Sequence, residues 1–168
     1  MNFRLATNDD LDYLKDMYKA VTEEMWENDI KIWNEHYPIG VLAEDIENNR
    51  LYLLENDGEI IAAGALCDSD ERENQIAWNP STTKATYMSR LGVNTKYLRQ
   101  GYGSKMVKHF MDISKENDAN YMRLFVVDIN IPATNLYLKN GFTKLEDPCK
   151  EVINEELTLS EYAFEINL

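Results

Sequence analysis

The chain has 168 residues, 44% of them hydrophobic and 28% charged, which suits a single domain over residues 1–168 with a core of its own. A formal net charge of −13 argues against nucleic acid as a partner. No run of about 18 apolar residues occurs, and "MNFRLATNDD" lacks the apolar centre of a signal peptide, so no membrane partner is expected and a cytoplasmic location is.

Phe3 and Leu5 alternate with polar residues and predict a short first strand. Thr7 with Asp10 three residues on marks a helix start, and Leu11, Leu14, Met17, Tyr18 and Val21 follow at helical spacing. A second helical piece is expected over Trp26–Trp33, broken at Pro38 and Gly40, then a further turn or two over 41–48. "RLYLLENDGEIIAAGALC" predicts an antiparallel hairpin with its turn at Asn56-Asp57-Gly58-Glu59. "DSDERENQ" is expected as a polar loop, "NPSTTKA" as a turn, and "TYMSRLGV" as a strand ending at Val93.

Past a glycine-containing stretch, Met106, Val107, Phe110, Met111 and Ser114 share one helical face, which Asn117, Asp118 and Asn120 close off. "YMRLFVV" is a buried strand. "DINIPATNLYLKN" is a helix with Asn130 as its cap, Pro132 in its first turn and Gly141 just past its end. "FTKLE" and "EYAFEIN" are the last two strands. Consecutive strands in the middle argue for antiparallel pairing and the later strand–helix–strand units for crossovers. The class is therefore mixed α/β, with helices on the faces of one sheet. Cys67 and Cys149 are too few and too far apart for a disulfide framework or a zinc site, and no metal is expected.

Charge is unevenly placed. Residues 1–84 carry 7 basic and 19 acidic side chains, net −12, while 85–168 carry 10 and 11, net −1. Within 90–123 the sign reverses to +4, through Arg90, Lys96, Arg99, Lys105, Lys108, Lys115 and Arg123. In that basic region "LRQGYGSKMV" sets Gly101 and Gly103 at the start of a helix. A helix N-terminus offers unpaired N–H groups and partial positive charge, and glycine lets a ligand approach the backbone, so the arrangement suits an anion such as phosphate. A tight turn is the plain alternative. The dinucleotide fingerprint would need glycine where Met106 stands, and the P-loop needs Gly-Lys-Ser/Thr where this chain has Gly103-Ser104-Lys105.

Downstream, Asn130, Ala133 and Tyr137 are spaced three and four apart, on one face of a helix, and Gly141-Phe142 follows. "RLGVNTKYLRQGYGSKMV" together with "LFVVDINIPATNLYLKNGF" resembles the GNAT family of acyl-CoA-dependent N-acetyltransferases over about residues 85–147. The resemblance implies that family's fold, a mixed, mainly antiparallel central sheet flanked by helices. It also implies acetyl-CoA as co-substrate and a primary amine of a small molecule or peptide as acceptor, attacked directly. It gives each motif a task. Leu91, Gly92 and Val93 match the end of the fourth strand, which splays from the fifth, with backbone groups of Leu91 and Val93 for the pantetheine arm. Backbone N–H groups over Arg99, Gln100, Gly101, Tyr102, Gly103 and Ser104 match the pyrophosphate loop. Lys105 and Lys108 are either exposed helix face or contacts to the 3′-phosphate. Leu98 departs from the glutamine or arginine usual three residues before the first glycine. Asn130 matches a coenzyme contact, or is simply a cap, and Ala133 lies on the same face. Tyr137 matches the general acid that protonates the leaving thiolate; the plain alternative is a core aromatic.

The general base is open. Some relatives carry a glutamate on the fourth strand where this chain has Tyr87, and no carboxylate lies between Thr82 and Leu98. Glu35, His36, Glu44 or a water relay are the options, and a ping-pong route through Cys67 or Cys149 lacks a nucleophile motif. Trp33 and Tyr37, with His36, sit before the helix break at Pro38 and Gly40 and are candidates to contact the acceptor, as is Trp78; both tryptophans have core packing as the alternative. The acidity of residues 1–84 points to a cationic acceptor, with solubility as the plain alternative. A non-catalytic acyl-CoA-binding module and a transferase of another acyl group remain alternatives, and a homodimer is one option for the assembly.

Overall fold

The structure is a computed structural model and describes residues 1–78, 83–152 and 158–168. Its strands are β1 (Asn2–Leu5), β2 (Leu51–Asn56), β3 (Glu59–Cys67), β4 (Ala85–Val93), β5 (Tyr121–Val127), β6 (Thr143–Val152) and β7 (Thr158–Asn167). Its α-helices are α1 (Leu11–Glu27), α2 (Leu42–Glu47), α3 (Tyr102–Glu116) and α4 (Ile131–Lys139). One sheet holds the strands in the order β1-β2-β3-β4-β5-β7-β6. The β1–β2, β2–β3, β5–β7 and β6–β7 ladders are antiparallel and β4–β5 is parallel, so the expected mixed, mainly antiparallel sheet is found. Among the described residues no helix is long and apolar enough to cross a membrane.

Contacts group the chain into two units, residues 1–66 with 89–109 and residues 67–88 with 110–168. In the first, Leu14, Met17, Tyr18 and Val21 are the buried stripe of α1, as their spacing predicts. Asp57 and Gly58 both take positive φ, 52° and 81°, as a two-residue hairpin turn requires. Leu51, Leu53, Leu54, Ile60, Ile61, Ala62 and Ala63 form the apolar body of that hairpin. The expected helix over Trp26–Trp33 does not form. Helix α1 instead runs on to Glu27, where Asn28 caps it, and Asp29 at φ 59° turns the chain out of helical geometry.

In the second unit, β5 pairs with the first residues of β4 (Ala85–Tyr87 against Tyr121–Arg123) and along its length with β7. Asn130 caps α4 by accepting from the Ala133 amide at 3.2 Å, Pro132 sits in the first turn, and Gly141 at φ 91° ends the helix, all as expected. Strand β6 runs well beyond "FTKLE". It passes through Pro148, which the outer strand of a sheet tolerates because no neighbour needs its missing N–H on that side. The polar loop after β3 contains a short 3₁₀ turn at Glu73–Gln75. The turn expected at "NPSTTKA" falls largely outside the described residues.

Candidate active site

The glycine stretch is held by the hairpin behind it. Buried Asn94 ends β4: its amide donates to Ile61 O at 2.8 Å, and its side chain donates to Ile60 O at 3.1 Å while accepting from the Lys96 amide at 3.2 Å. Glu59, the first residue of β3, takes the Tyr97 hydroxyl at 2.6 Å and the Lys96 ammonium at 2.8 Å. From that anchored turn the exposed residues Leu98, Arg99 and Gln100 lead to Gly101. Arg99 and Gly101 both lie in the left-handed region, φ 60° and 84°, and Gly101 O accepts the first helical bond of α3, from the Lys105 amide at 3.1 Å. Left-handed residues ahead of a helix N-terminus are a backbone pattern that can turn successive N–H groups to one side, as anion-binding loops require. Tyr102 is half-buried, its ring edge-on to Tyr97, and Lys105 reaches over its face; Ser104 is half-buried and Gly103 buried.

The glycine of "LGV" has a different use. A Cβ on Gly92 would lie 2.9 Å from Cε1 of fully buried Tyr18, whose hydroxyl donates to Arg90 O at 2.7 Å. Arg90 takes φ 54°, a left-handed residue inside β4, and its guanidinium meets the buried carboxylate of Asp45, which Arg50 also binds at 2.5 Å. Leu91 and Val93 flank this kink half-buried, on the strand end that the family resemblance assigns to pantetheine.

In the second unit Tyr137 is buried on α4, against Phe142 and Phe164 at 5.6 and 6.2 Å between ring centroids. Burial alone pushes its phenol far above the usual tyrosine range, so the group is protonated throughout the neutral region. Ala133, one turn before it, is half-buried and its amide is committed to the cap.

The other candidates are divided between the two units. Trp33 and Tyr37, both in the first unit, lie in the irregular segment after α1. The Trp33 ring tilts against Tyr18 at 5.7 Å, its carbonyl accepts from Trp26, and Tyr37 is 39% exposed. Glu35 and His36 are exposed and face each other at 3.4 Å, and Glu44 is engaged by Arg50. Cys149 is buried, which raises its thiol and disfavours a nucleophilic thiolate. Trp78 in the second unit is buried, with its indole N–H donating to Glu73 O at 2.7 Å. It also lines a cavity of about 420 Å³ with Asp68, Glu73, Lys84, Tyr87 and Arg123. Those five residues come from three stretches of chain, 68–73, 84–87 and the β5 residue Arg123, and no spacing in the sequence marks them as a set.

Residues 18–142 match the family model described as the acetyltransferase (GNAT) family. The chain belongs to the GNAT family of acetyltransferases, and is by that membership an acyltransferase. Among solved structures, a Staphylococcus aureus Mu50 protein assigned as an acetyltransferase is 24% identical, with 99% of each chain covered and a TM-score of 0.72. A GNAT-family acetyltransferase from Listeria monocytogenes is 16% identical over 99% of this chain and 94% of its own, with a TM-score of 0.79. A Salmonella typhimurium protein assigned as an acetyltransferase, solved with its cofactor acetyl-CoA, is 14% identical over 100% of this chain and 94% of its own, TM-score 0.68. These three likenesses speak for the GNAT fold. No curated protein sequence matches the chain.

Proposed function

We propose that this GNAT protein moves an acetyl group from acetyl-CoA to a primary amine of a small molecule or peptide by direct attack, with Tyr137 as general acid. The observation that carries the reading is the buried, protonated Tyr137 on the helix that Asn130 caps. As the amine nitrogen bonds to the thioester carbon and the C–S bond breaks, Tyr137 would give its proton to the departing sulfur. The amine's own proton then leaves to a base or to solvent. A free thiol titrates near 8.5, below tyrosine's 10, but a dry site raises both, so transfer stays accessible while the phenol keeps its proton until it is needed. The loop from Arg99 to Ser104 would hold the pyrophosphate through main-chain N–H groups, and its left-handed residues at 99 and 101 fit that use. The acetyl-CoA-bound Salmonella protein of the same fold supports the choice of donor.

One observation favours a second reading, a non-catalytic acyl-CoA-binding module: β4 has a tyrosine, Tyr87, where some relatives have a carboxylate base. Thiol release from acetyl-CoA with a panel of amines decides between them. Amine-dependent release supports the transferase; binding of acetyl-CoA with no release for any amine class supports the module. Faster release from longer acyl thioesters would mark a different acyl group.

A further inference from the structure

The cavity of about 420 Å³ in the second unit falls within the ~300–1,000 Å³ usual for small-ligand sites. Its walls mix two cations with two carboxylates, and their engagement differs. Lys84 donates its ammonium to Asn117 O, and Arg123, 2% exposed, pairs with Glu165 at 3.3 Å and stacks on the Trp78 ring at 4.2 Å. Asp68 and Glu73 form no ion pair among the described residues. With Arg123 matched by Glu165, the lining sets two carboxylates, exposed Asp68 and half-buried Glu73, against the single ammonium of Lys84, a net negative charge beside two buried aromatic rings. Tyr87, 4% exposed, has its hydroxyl against the Arg123 guanidinium at 3.4 Å. Burial raises its phenol, with Glu73 adding to the rise, so Tyr87 adds no charge of its own.

An amine that is to attack must be neutral, yet carboxylates around an ammonium hold it protonated. A site with net negative charge suits the charge of an acceptor's second, non-reacting amine. We propose that this cavity binds the distal ammonium of a diamine-type acceptor, with Glu73 and Asp68 as its counter-charges and the Trp78 and Tyr87 rings along its methylene chain. The proposal rests on the amine-acetyltransferase reading above and names its substrate class.

The test is calorimetry with 1,5-diaminopentane and 1-aminopentane, with and without coenzyme A, at low and high salt, alongside thiol-release kinetics on both amines. Wild type should bind the diamine more tightly, with a preference that shrinks as salt rises. Glu73→Gln and Asp68→Asn should each weaken diamine binding by about fivefold, the size of one charge contact, and raise its KM without a matching fall in kcat. Glu116→Gln, an exposed change at the end of α3, makes the same charge change outside the cavity and should leave the preference intact. Equal binding of the two amines, or diamine binding untouched in both cavity variants, overturns the proposal. Its failure is separable from that of the enzyme reading. Turnover of amines with cavity variants indifferent removes only the diamine site, whereas carboxylate-dependent diamine binding without thiol release keeps the site and removes the transferase.

Discussion

The Tyr18 hydroxyl donates to Arg90 O at 2.7 Å, and the ring that carries it lies where a side chain on Gly92 would fall. The bond ties α1 to the left-handed residue that kinks β4, and Gly92 is bare so that the ring can reach it. Tyr18 is fully buried and cannot swing aside, so Gly92→Ala should overpack the site and cost ~1–3 kcal/mol. Tyr18→Phe keeps the ring and leaves the Arg90 carbonyl without its donor, a loss of ~1–2 kcal/mol. Urea denaturation of both variants checks this. A Gly92→Ala protein as stable as wild type would mean that the ring relaxes freely.

A second set of contacts makes stability depend on pH. Arg4 on β1 binds the Asp10 carboxylate through two contacts of 2.8 Å, and Glu55 of β2 at 2.8 and 3.1 Å. The Arg4 hydrogen bonds hold the Asp10 carboxyl down at about 2 against an ordinary 3.8. Because the folded value is the lower, the stabilisation is complete above the unfolded value and disappears as pH falls from about 4 towards 2. Allowing for solvent screening, Asp10→Asn should cost ~1 kcal/mol at neutral pH and only a small part of that at pH 2, where the folded carboxyl is half protonated. Paired denaturation curves at the two pH values test it, and a constant gap would count against the charge.

Much of this architecture is local and therefore legible in sequence. Asp57-Gly58 could only be a hairpin turn, Asn130 with Pro132 and Gly141 bracketed α4, and the alternation of Tyr162, Phe164 and Ile166 marked the last strand. What local patterning missed depends on distant partners or on single backbone angles. Trp26 and Trp33 sit seven apart, as on a helix, but Asp29 at φ 59° turns the chain and the Trp26 indole instead donates to the Trp33 carbonyl. Tyr18 and Arg90 are 72 residues apart, so nothing local in the sequence shows that Gly92 also admits a tyrosine ring. The Trp78 cavity draws on the end of β3, a 3₁₀ turn, the start of β4 and β5, and its excess of carboxylates becomes apparent only when Arg123 is found paired with Glu165.

The proposed phosphate loop makes its own prediction. Gly101 stands at φ 84° with nothing within 4 Å of an added Cβ, so Gly101→Ala meets backbone strain and no clash. The strain should cost ~1–2 kcal/mol of stability. Relieving it would turn the amides of Tyr102 and Gly103 away from their present direction. Calorimetry should then show coenzyme A binding weakened by about tenfold or more, beyond the ~0.5–1 kcal/mol that glycine-to-alanine changes move through the unfolded chain. Gly103→Val, which adds bulk at a buried position of the loop, should nearly abolish binding. A folded Gly103→Val protein with wild-type affinity would remove the loop from the coenzyme site.

Tyr137 offers the sharpest test of mechanism because its burial fixes the direction of its pH behaviour. The phenol is pushed up by desolvation, so it stays protonated across and above the range in which an exposed tyrosine would begin to ionise. A general acid of this kind sets no alkaline limb near the usual tyrosine value of about 10; any limb below that belongs to another group. Tyr137→Phe preserves the ring between Phe142 and Phe164 and removes only the proton. Turnover should fall by at least about tenfold, within the ~10²–10⁴ range general acids contribute, while coenzyme affinity changes little. The loss should shrink with a thioester whose thiol is more acidic, because that sulfur leaves without needing a proton. Turnover unchanged where chemistry limits the rate, or a loss independent of the leaving thiol, would return Tyr137 to the role of a core aromatic.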